Sequence, residues 1–343
     1  MMTLNGGKQT QTAVDAAVIG VDVGGTTITA LVVDAAWQPR AQFTCPTDKR
    51  TPHSTLESIQ TAVHQALNQT GFSLNQVSAI GIGIPGRVDP QTGTVHLAVN
   101  LRWDAMPAGA MLSAAFGGIP CLLENDLHLA ALGYYTFFTD QTIQHMAYVG
   151  IGTGLAAGLI LDGRLYRGAH GMAGEFGHMV VEPGGPRCNC GNHGCLEMYV
   201  AGPAIAHAGQ QAAAAGQIPV TVEGECVTAV DVFQAARLGN QTAQTIINQA
   251  GAYLGRGLQA LIMAFDIDKI ILGGGIARAG DTLRQAILRE WQRQARLSPL
   301  AAEMLIPEKL VIAPPDINPG AWGGVALVRQ NLVNTTPPLL ITT

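Results

Sequence analysis

Apolar residues in this chain gather into short runs that stop at glycine, threonine or acidic residues. Val18-Ile19-Gly20-Val21-Asp22-Val23 reads as a strand and Ile28 to Val33 as a second, with Gly24-Gly25-Thr26-Thr27 between them. Two apolar runs joined by a glycine-rich tip predict a hairpin. Leu56, Ile59, Val63 and Leu67 recur at helical spacing, which predicts a helix near Ser54 to Thr70. Val77 to Ile84 is a strand pattern that stops at Pro85-Gly86. Cys121 to Leu123 is a short apolar run ending at Glu124-Asn125-Asp126, and Leu127 to Tyr135 reads as the helix that follows.

The hairpin pattern returns at Met146 to Leu161, where Gly152-Thr153-Gly154 separates Ala147-Tyr148-Val149 from Leu155 to Ile160. The two hairpins lie about 130 residues apart, too far for a solenoid repeat. The spacing suits two related lobes that each open with the same hairpin. Ala243 to Phe265 then predicts a long helix, Lys269 to Leu272 a strand, Gly273-Gly274-Gly275 a turn, and about Asp281 the start of another helix. Strands alternating with helices place the chain in the α/β class.

Composition narrows this picture. Charged residues are 13 % of the 343 and hydrophobic residues 48 %, which excludes a globally disordered chain. A net charge of −5 argues against a general nucleic-acid binder. Glycine, at 42 residues, is in surplus, as expected of many tight turns and close backbone approaches. No apolar stretch is long enough to predict a membrane span. Met1 to Ala16 is polar and lacks a signal-peptide core, so the expectation is a disordered lead-in to a cytoplasmic protein.

Three constellations carry candidate chemistry, and a fourth pattern is set aside. The two Gly/Thr tips, with Thr26, Thr27 and Thr153, form turns whose backbone N–H groups and hydroxyls suit phosphate oxygens; ordinary hairpin turns are the alternative. Asp22, before the first tip, is placed to hold Mg²⁺ directly or through water. Gly81-Ile82-Gly83-Ile84-Pro85-Gly86 matches a dinucleotide fingerprint, but a turn-rich segment follows where a helix is required, so that reading is rejected. At Glu124-Asn125-Asp126 two readings stand: a helix cap, or a carboxylate at a strand end that takes a hydroxyl proton during phosphoryl transfer. The most specific signal is Gly174-Glu175-Phe176-Gly177-His178 followed by Cys188, Cys190 and Cys195. Three cysteines and a histidine make a closed tetrahedral structural zinc set. His178 is preferred as the fourth ligand over His193, which lies inside the loop between Cys190 and Cys195. Glu197, two residues beyond the last ligand, would be presented at a fixed place.

Taken in order, these residues resemble the ROK family, sugar kinases and sugar-responsive repressors built on the actin-like ATPase (ribonuclease H-like) fold. The landmarks are Asp22-Val23-Gly24-Gly25-Thr26, Gly83-Ile84-Pro85-Gly86, Asn100-Leu101 with Trp103, Glu124-Asn125-Asp126, Gly150-Ile151-Gly152-Thr153-Gly154, Gly174 to His178, the cysteine knuckle with Glu197, and Gly273-Gly274-Gly275. The resemblance implies two lobes with a cleft between them: a smaller one over 17–126, completed by a helix near 320–332, and a larger one over 127–319 that carries the zinc, with 333–343 as a tail. It implies ATP with Mg²⁺, held by Asp22, Gly24, Gly25, Thr26, Thr27, Thr153, Gly154, Gly274 and Gly275. It implies a hexose held by Asn100, Asn125, Asp126, Glu175, His178 and Glu197, with Asp126 as the catalytic base. His178 would then serve zinc with one ring nitrogen and sugar with the other.

The expected reaction is phosphorylation of a hexose, glucose by default, at the 6-hydroxyl, by a cytoplasmic homodimer. N-acetylmannosamine, N-acetylglucosamine, allose, mannose and fructose are the competing acceptors, and a sugar-binding regulator without catalysis is the alternative from another class. Two departures bear on this. Thr27 stands where many family kinases carry lysine. About 20 residues precede Asp22, too few for the helix-turn-helix domain of the family's repressors, which favours the kinase branch.

Overall fold

The computed structural model describes residues 16–140, 142–219 and 226–335. Most of the expected lead-in and most of the expected tail lie outside the described residues. The chain divides into two compact units, one running to Leu129 and resuming at Gly320, the other spanning Ala130–Pro319.

In the first unit the strands are β1 (Ala17–Val23), β2 (Thr27–Val33), β3 (Pro39–Pro46), β4 (Val77–Ile84), β5 (Arg87–Asp89), β6 (Thr94–Ala98), β7 (Trp103–Met106) and β8 (Cys121–Asn125). Helix α1 (Pro52–Asn68) follows β3, α2 (Ala108–Ala115) precedes β8, and α3 (Asp126–Phe138) follows it directly. The main sheet has the order β3-β2-β1-β4-β8. β1, β2 and β3 are antiparallel neighbours, whereas β1, β4 and β8 run parallel. Helix α1 begins at Pro52 rather than Ser54 because Thr51 caps it, its side chain accepting from the Ser54 N–H at 3.0 Å, and Pro52 needs no donor partner at that position. Strand β8 runs past Leu123 because Glu124 and Asn125 stay in register with Gly83 and Ile84 of β4. After Ile84 a turn leads into β5, so no helix follows the Gly81–Gly86 fingerprint.

In the second unit β9 (Met146–Ile151), β10 (Leu155–Leu161) and β11 (Arg164–Tyr166) are followed by α4 (Glu197–Val200), α5 (Gly202–Ala214), α6 (Ala229–Arg237), α7 (Gln241–Phe265), β12 (Lys269–Gly273), α8 (Asp281–Ala295), α9 (Pro299–Met304) and β13 (Leu310–Ile312). Its sheet has the order β11-β10-β9-β12-β13. β10 is antiparallel to β9 and β11, and β9, β12 and β13 are parallel. The topology is that of the first unit repeated, which is the duplicated ribonuclease H-like plan expected of the actin-like fold. Each unit has its own apolar core, one built on Ile19, Val21, Ile80 and Ile82, the other on Val149, Leu159, Leu258 and Ile270.

The last helix, α10 (Pro319–Thr335), explains part of the glycine surplus. It lies with its backbone directly on the first sheet. A Cβ on Gly20 would overlap the Ala321 carbonyl, and one on Gly81 would overlap that of Gly324. Only residues without side chains permit so close an approach.

Candidate active site

In the first unit, candidate residues gather at the ends of β1, β4 and β8. Strand pairing sets Asp22, Gly83 and Glu124 in one row across the sheet. The tip after β1 is closed by a hydrogen bond from Gly24 N to the Thr27 carbonyl, 2.9 Å. The segment after β3 is pinned to it: Thr47 donates its N–H to the Thr26 carbonyl at 2.9 Å and its hydroxyl to the Gly24 carbonyl at 2.8 Å. Thr26 and Thr27 are exposed, and Gly25 faces open space. An open, donor-bearing tip beside a carboxylate fits a phosphate group with its Mg²⁺, Asp22 supplying a hard oxygen ligand.

The junction of β8 and α3 shows which of Glu124-Asn125-Asp126 supplies the cap. Asn125 is the cap: its side-chain oxygen accepts from the N–H groups of Leu127 at 2.9 Å and His128 at 3.1 Å. Its amide donates to the Gly86 carbonyl at 3.0 Å. Glu124 is buried, accepts from the Asn125 N–H at 3.0 Å and lies 3.0 Å from Nδ1 of buried His128. This pairing, which sequence reading missed, is legible afterwards as Glu and His four residues apart across the strand-helix join. Asp126 opens the helix, and its Oδ1 also accepts from the Leu127 N–H at 2.9 Å. Burial, and secondly the Asp22 carboxylate, push its carboxyl up to about 7. A carboxyl poised near neutrality is suited to general-base work. Asn100 is exposed in a one-turn helix, Val99–Leu101, after β6.

In the second unit the candidate residues surround the start of β10. Gly152 donates to the Gly154 carbonyl at 3.0 Å to form the second tip, on which Thr153 is exposed. The Glu175 to His178 segment is held against β10 because Ala157 N donates to the Gly174 carbonyl at 2.9 Å. His178, Cys188, Cys190 and Cys195 present ligand atoms that all lie within 4.8 Å of one another, and His193 is outside this group. Cys190 and Cys195 sulfurs are 3.6 Å apart, as are the Cys188 sulfur and His178 Nδ1. Zinc bonds of about 2.3 Å to sulfur and 2.0–2.1 Å to nitrogen span such edges in a tetrahedron, so the donor set fits zinc. Nε2 of His178 faces Glu175 at 3.7 Å.

Glu197 reaches back to the second tip. Its Oε2 accepts from the Leu155 N–H at 3.0 Å, and its Oε1 lies 3.8 Å from the Cys188 sulfur. One carboxylate thus joins the knuckle to the tip, a link invisible in the sequence because it spans 42 residues. Of the glycine run after β12, Gly274 is required by packing: φ is 84° and a Cβ would lie 2.5 Å from the Ile151 carbonyl oxygen. Gly275 faces open space and is the better placed of the two for a ligand. Outside the knuckle, burial raises the thiols of Cys45 and Cys121, that of Cys121 to about 12.

The ROK family model matches residues 18–331. A glucokinase of Halalkalibacterium halodurans is 32% identical over 283 residues, 81% of this chain and 86% of that protein. The crystal structure of a ROK family glucokinase from Streptomyces griseus in complex with glucose and AMPPNP aligns with a TM-score of 0.77 at 31% identity, covering 92% of this chain and 100% of that one. The N-acetylglucosamine repressor of Escherichia coli O157:H7 is 30% identical over 269 residues, 78% of this chain and 66% of the repressor.

Proposed function

From its place in the ROK family, to which this chain belongs as an ATP-dependent sugar kinase, we propose that it phosphorylates a hexose, glucose before others, at the 6-hydroxyl. The observation that carries this reading is Asp126: a carboxyl at the β8–α3 junction, beside Asp22 and raised to about 7 by burial and by Asp22, with one oxygen on the Leu127 N–H and the main capping bonds made by Asn125. The hydroxyl oxygen attacks the γ-phosphorus, the bond to the β-phosphate oxygen breaks, ADP leaves, and the hydroxyl proton passes to Asp126. Mg²⁺, when bound at Asp22, offsets charge on the phosphates. The tips around Thr26, Thr27 and Thr153 bind and orient the nucleotide by backbone and hydroxyl donors, so Thr27 serves without the family's frequent lysine.

Asn100, Asn125, Asp126, Glu175, His178 and Glu197 are the proposed hydroxyl ligands. Asn125 can offer the amide N–H not given to Gly86, and His178 its Nε2. Zinc at His178, Cys188, Cys190 and Cys195 is proposed as structural: four protein donors leave no open position, and the knuckle fixes Glu197. Among the described residues no helix is long and apolar enough to cross a membrane, which is compatible with the cytoplasmic reading. The proposed homodimer has a candidate face on the second unit, where Tyr166, Met172, Met179 and Phe265 are exposed around an apolar hollow of about 480 Å³.

Phosphorus NMR of the product tests the regiochemistry. Coupling of the new phosphate to the C6 protons of glucose, and no turnover of 6-deoxyglucose, are expected. Transfer to 6-deoxyglucose would overturn the 6-hydroxyl assignment. Retained glucose binding with no phosphate transfer to any sugar would favour the regulator reading suggested by the similarity to the repressor.

A further inference from the structure

Asp22 meets the first turn of α10. A Cβ on Gly320 would lie 2.6 Å from the Asp22 carboxyl carbon, 2.7 Å from Oδ1 and 3.0 Å from Oδ2. The Asp22 carboxylate therefore occupies the space that any other residue at 320 would fill. The other two glycines of α10 are different. Gly323 and Gly324 face backbone, the carbonyls of Leu129 and Gly81, and serve to seat the helix. Gly320 alone of the three faces a carboxylate. Because α10 is locked to β1 and β4 through Gly20 and Gly81, its first turn is a rigid stop for Asp22. A helix of 17 residues also turns its positive end toward that position, which favours a carboxylate there.

We propose that Gly320 is a positioning residue for phosphoryl transfer: its missing side chain lets the Asp22 carboxylate rest on the start of α10, at the place from which it ligates the nucleotide's magnesium. The final helix of the chain is thereby part of the nucleotide machinery as well as of the core. This rests on the kinase reading and deepens it at Asp22. An alanine at 320 must push the carboxylate aside, because the atoms it would meet are those of Asp22 and the helix behind cannot retreat from the glycines beneath it.

The experiment is a cycle of four full-length proteins: wild type, Gly320→Ala, Asp22→Ala and the double variant. Melting temperature is read without nucleotide, hexose affinity is read calorimetrically without nucleotide, and turnover is titrated with Mg²⁺. Displacing a group by about 1 Å at a reacting centre can cost about 100-fold, so Gly320→Ala should lose between about ten- and 100-fold in kcat. It should also need several-fold more Mg²⁺ for half-saturation, with hexose affinity unchanged. The fall in melting temperature caused by Gly320→Ala should largely vanish in the Asp22→Ala background, where the added methyl has room.

If Gly320→Ala proves insoluble, the double variant should be recovered in soluble form, and insolubility of both would overturn the proposal. Wild-type kcat and Mg²⁺ requirement in Gly320→Ala would overturn it. So would an equal loss of melting temperature in both backgrounds, since the methyl would then clash with something other than Asp22. Absence of sugar-stimulated ADP release from the wild-type protein is a separate failure, of the kinase reading itself, and would remove the catalytic part of the proposal with it.

Discussion

Replacing Asp126 by asparagine should stop catalysis and stabilise the protein in the same step. In the folded chain this carboxyl moves from its ordinary value of 3.8 up to about 7, through burial first and the Asp22 carboxylate second. At about 1.36 kcal/mol for each tenfold change in the ionisation equilibrium, the distance from 3.8 to about 7 sets an upper bound of about 4 kcal/mol on the cost of ionising Asp126 in the fold. The residue keeps partial exposure, and solvent screening brings the expected figure to about 1–2 kcal/mol. Proton counting gives the sign. With its pKa raised in the fold, the native state holds more protons than the unfolded chain, so stability is lost as pH rises from 3.8 to about 7 and stays low above that.

Asparagine does not ionise. Asp126→Asn should therefore melt a few degrees above wild type at pH 8, at about 2–4 °C per kcal/mol, with the gap closing as pH falls toward about 4. In a coupled ADP assay kcat should drop by about 10²–10⁴, the usual range for loss of a general base. Most of the hexose affinity should hold, because the asparagine amide can still hydrogen-bond a hydroxyl and Asn125 with its two capping bonds is untouched. Scanning calorimetry at several pH values, in magnesium-free buffer and without nucleotide, reads the first effect. A variant that turns over like wild type, or that melts below wild type at pH 8, would refute the reasoning.

Three other outcomes follow from the same geometry. Since the base must be ionised, kcat/KM for the sugar should fall as pH drops through about 7, and Asp126→Asn should abolish that limb; a flat pH profile in wild type would contradict the assignment. Cys190→Ser should release the metal, measured by elemental analysis, and raise the sugar KM by loosening the hold on Glu197; a metal-free protein with normal sugar affinity would remove the knuckle's scaffolding role. Asn125→Ala should cost about 1–2 kcal/mol in urea unfolding through the lost cap, whereas Asn125→Asp, which keeps an acceptor, should recover most of it.

What could be read in advance was local. Both hairpins with their tips, the alternation of strands and helices, and the four knuckle residues are each carried by a short stretch of chain, and the structure has them close to the expected places. The edge strand β3 was not legible, since Pro39–Pro46 is half exposed and flanked by prolines that only an edge tolerates. Strands β5 to β7 are too short for periodicity to register. At Glu124-Asn125-Asp126 the sequence allowed a cap or a base; the hydrogen bonds make Asn125 the principal cap, and the base role of Asp126 is the proposal made above.

The remaining features depend on contacts between distant segments. Asp22 and Asp126 come together only through the register of β1, β4 and β8. Glu197 reaches Leu155 across the knuckle, and Gly320 is shaped by a carboxylate some 300 residues earlier.

The most direct test of the account is ADP release by purified protein with Mg-ATP and a panel of hexoses and N-acetylhexosamines. The account predicts saturable turnover with glucose well above the sugar-free rate and above every other sugar. Saturable turnover led by an N-acetylhexosamine would contradict the proposed acceptor, and no sugar-stimulated turnover at all, in protein carrying about one zinc per chain, would contradict the kinase mechanism built on Asp126.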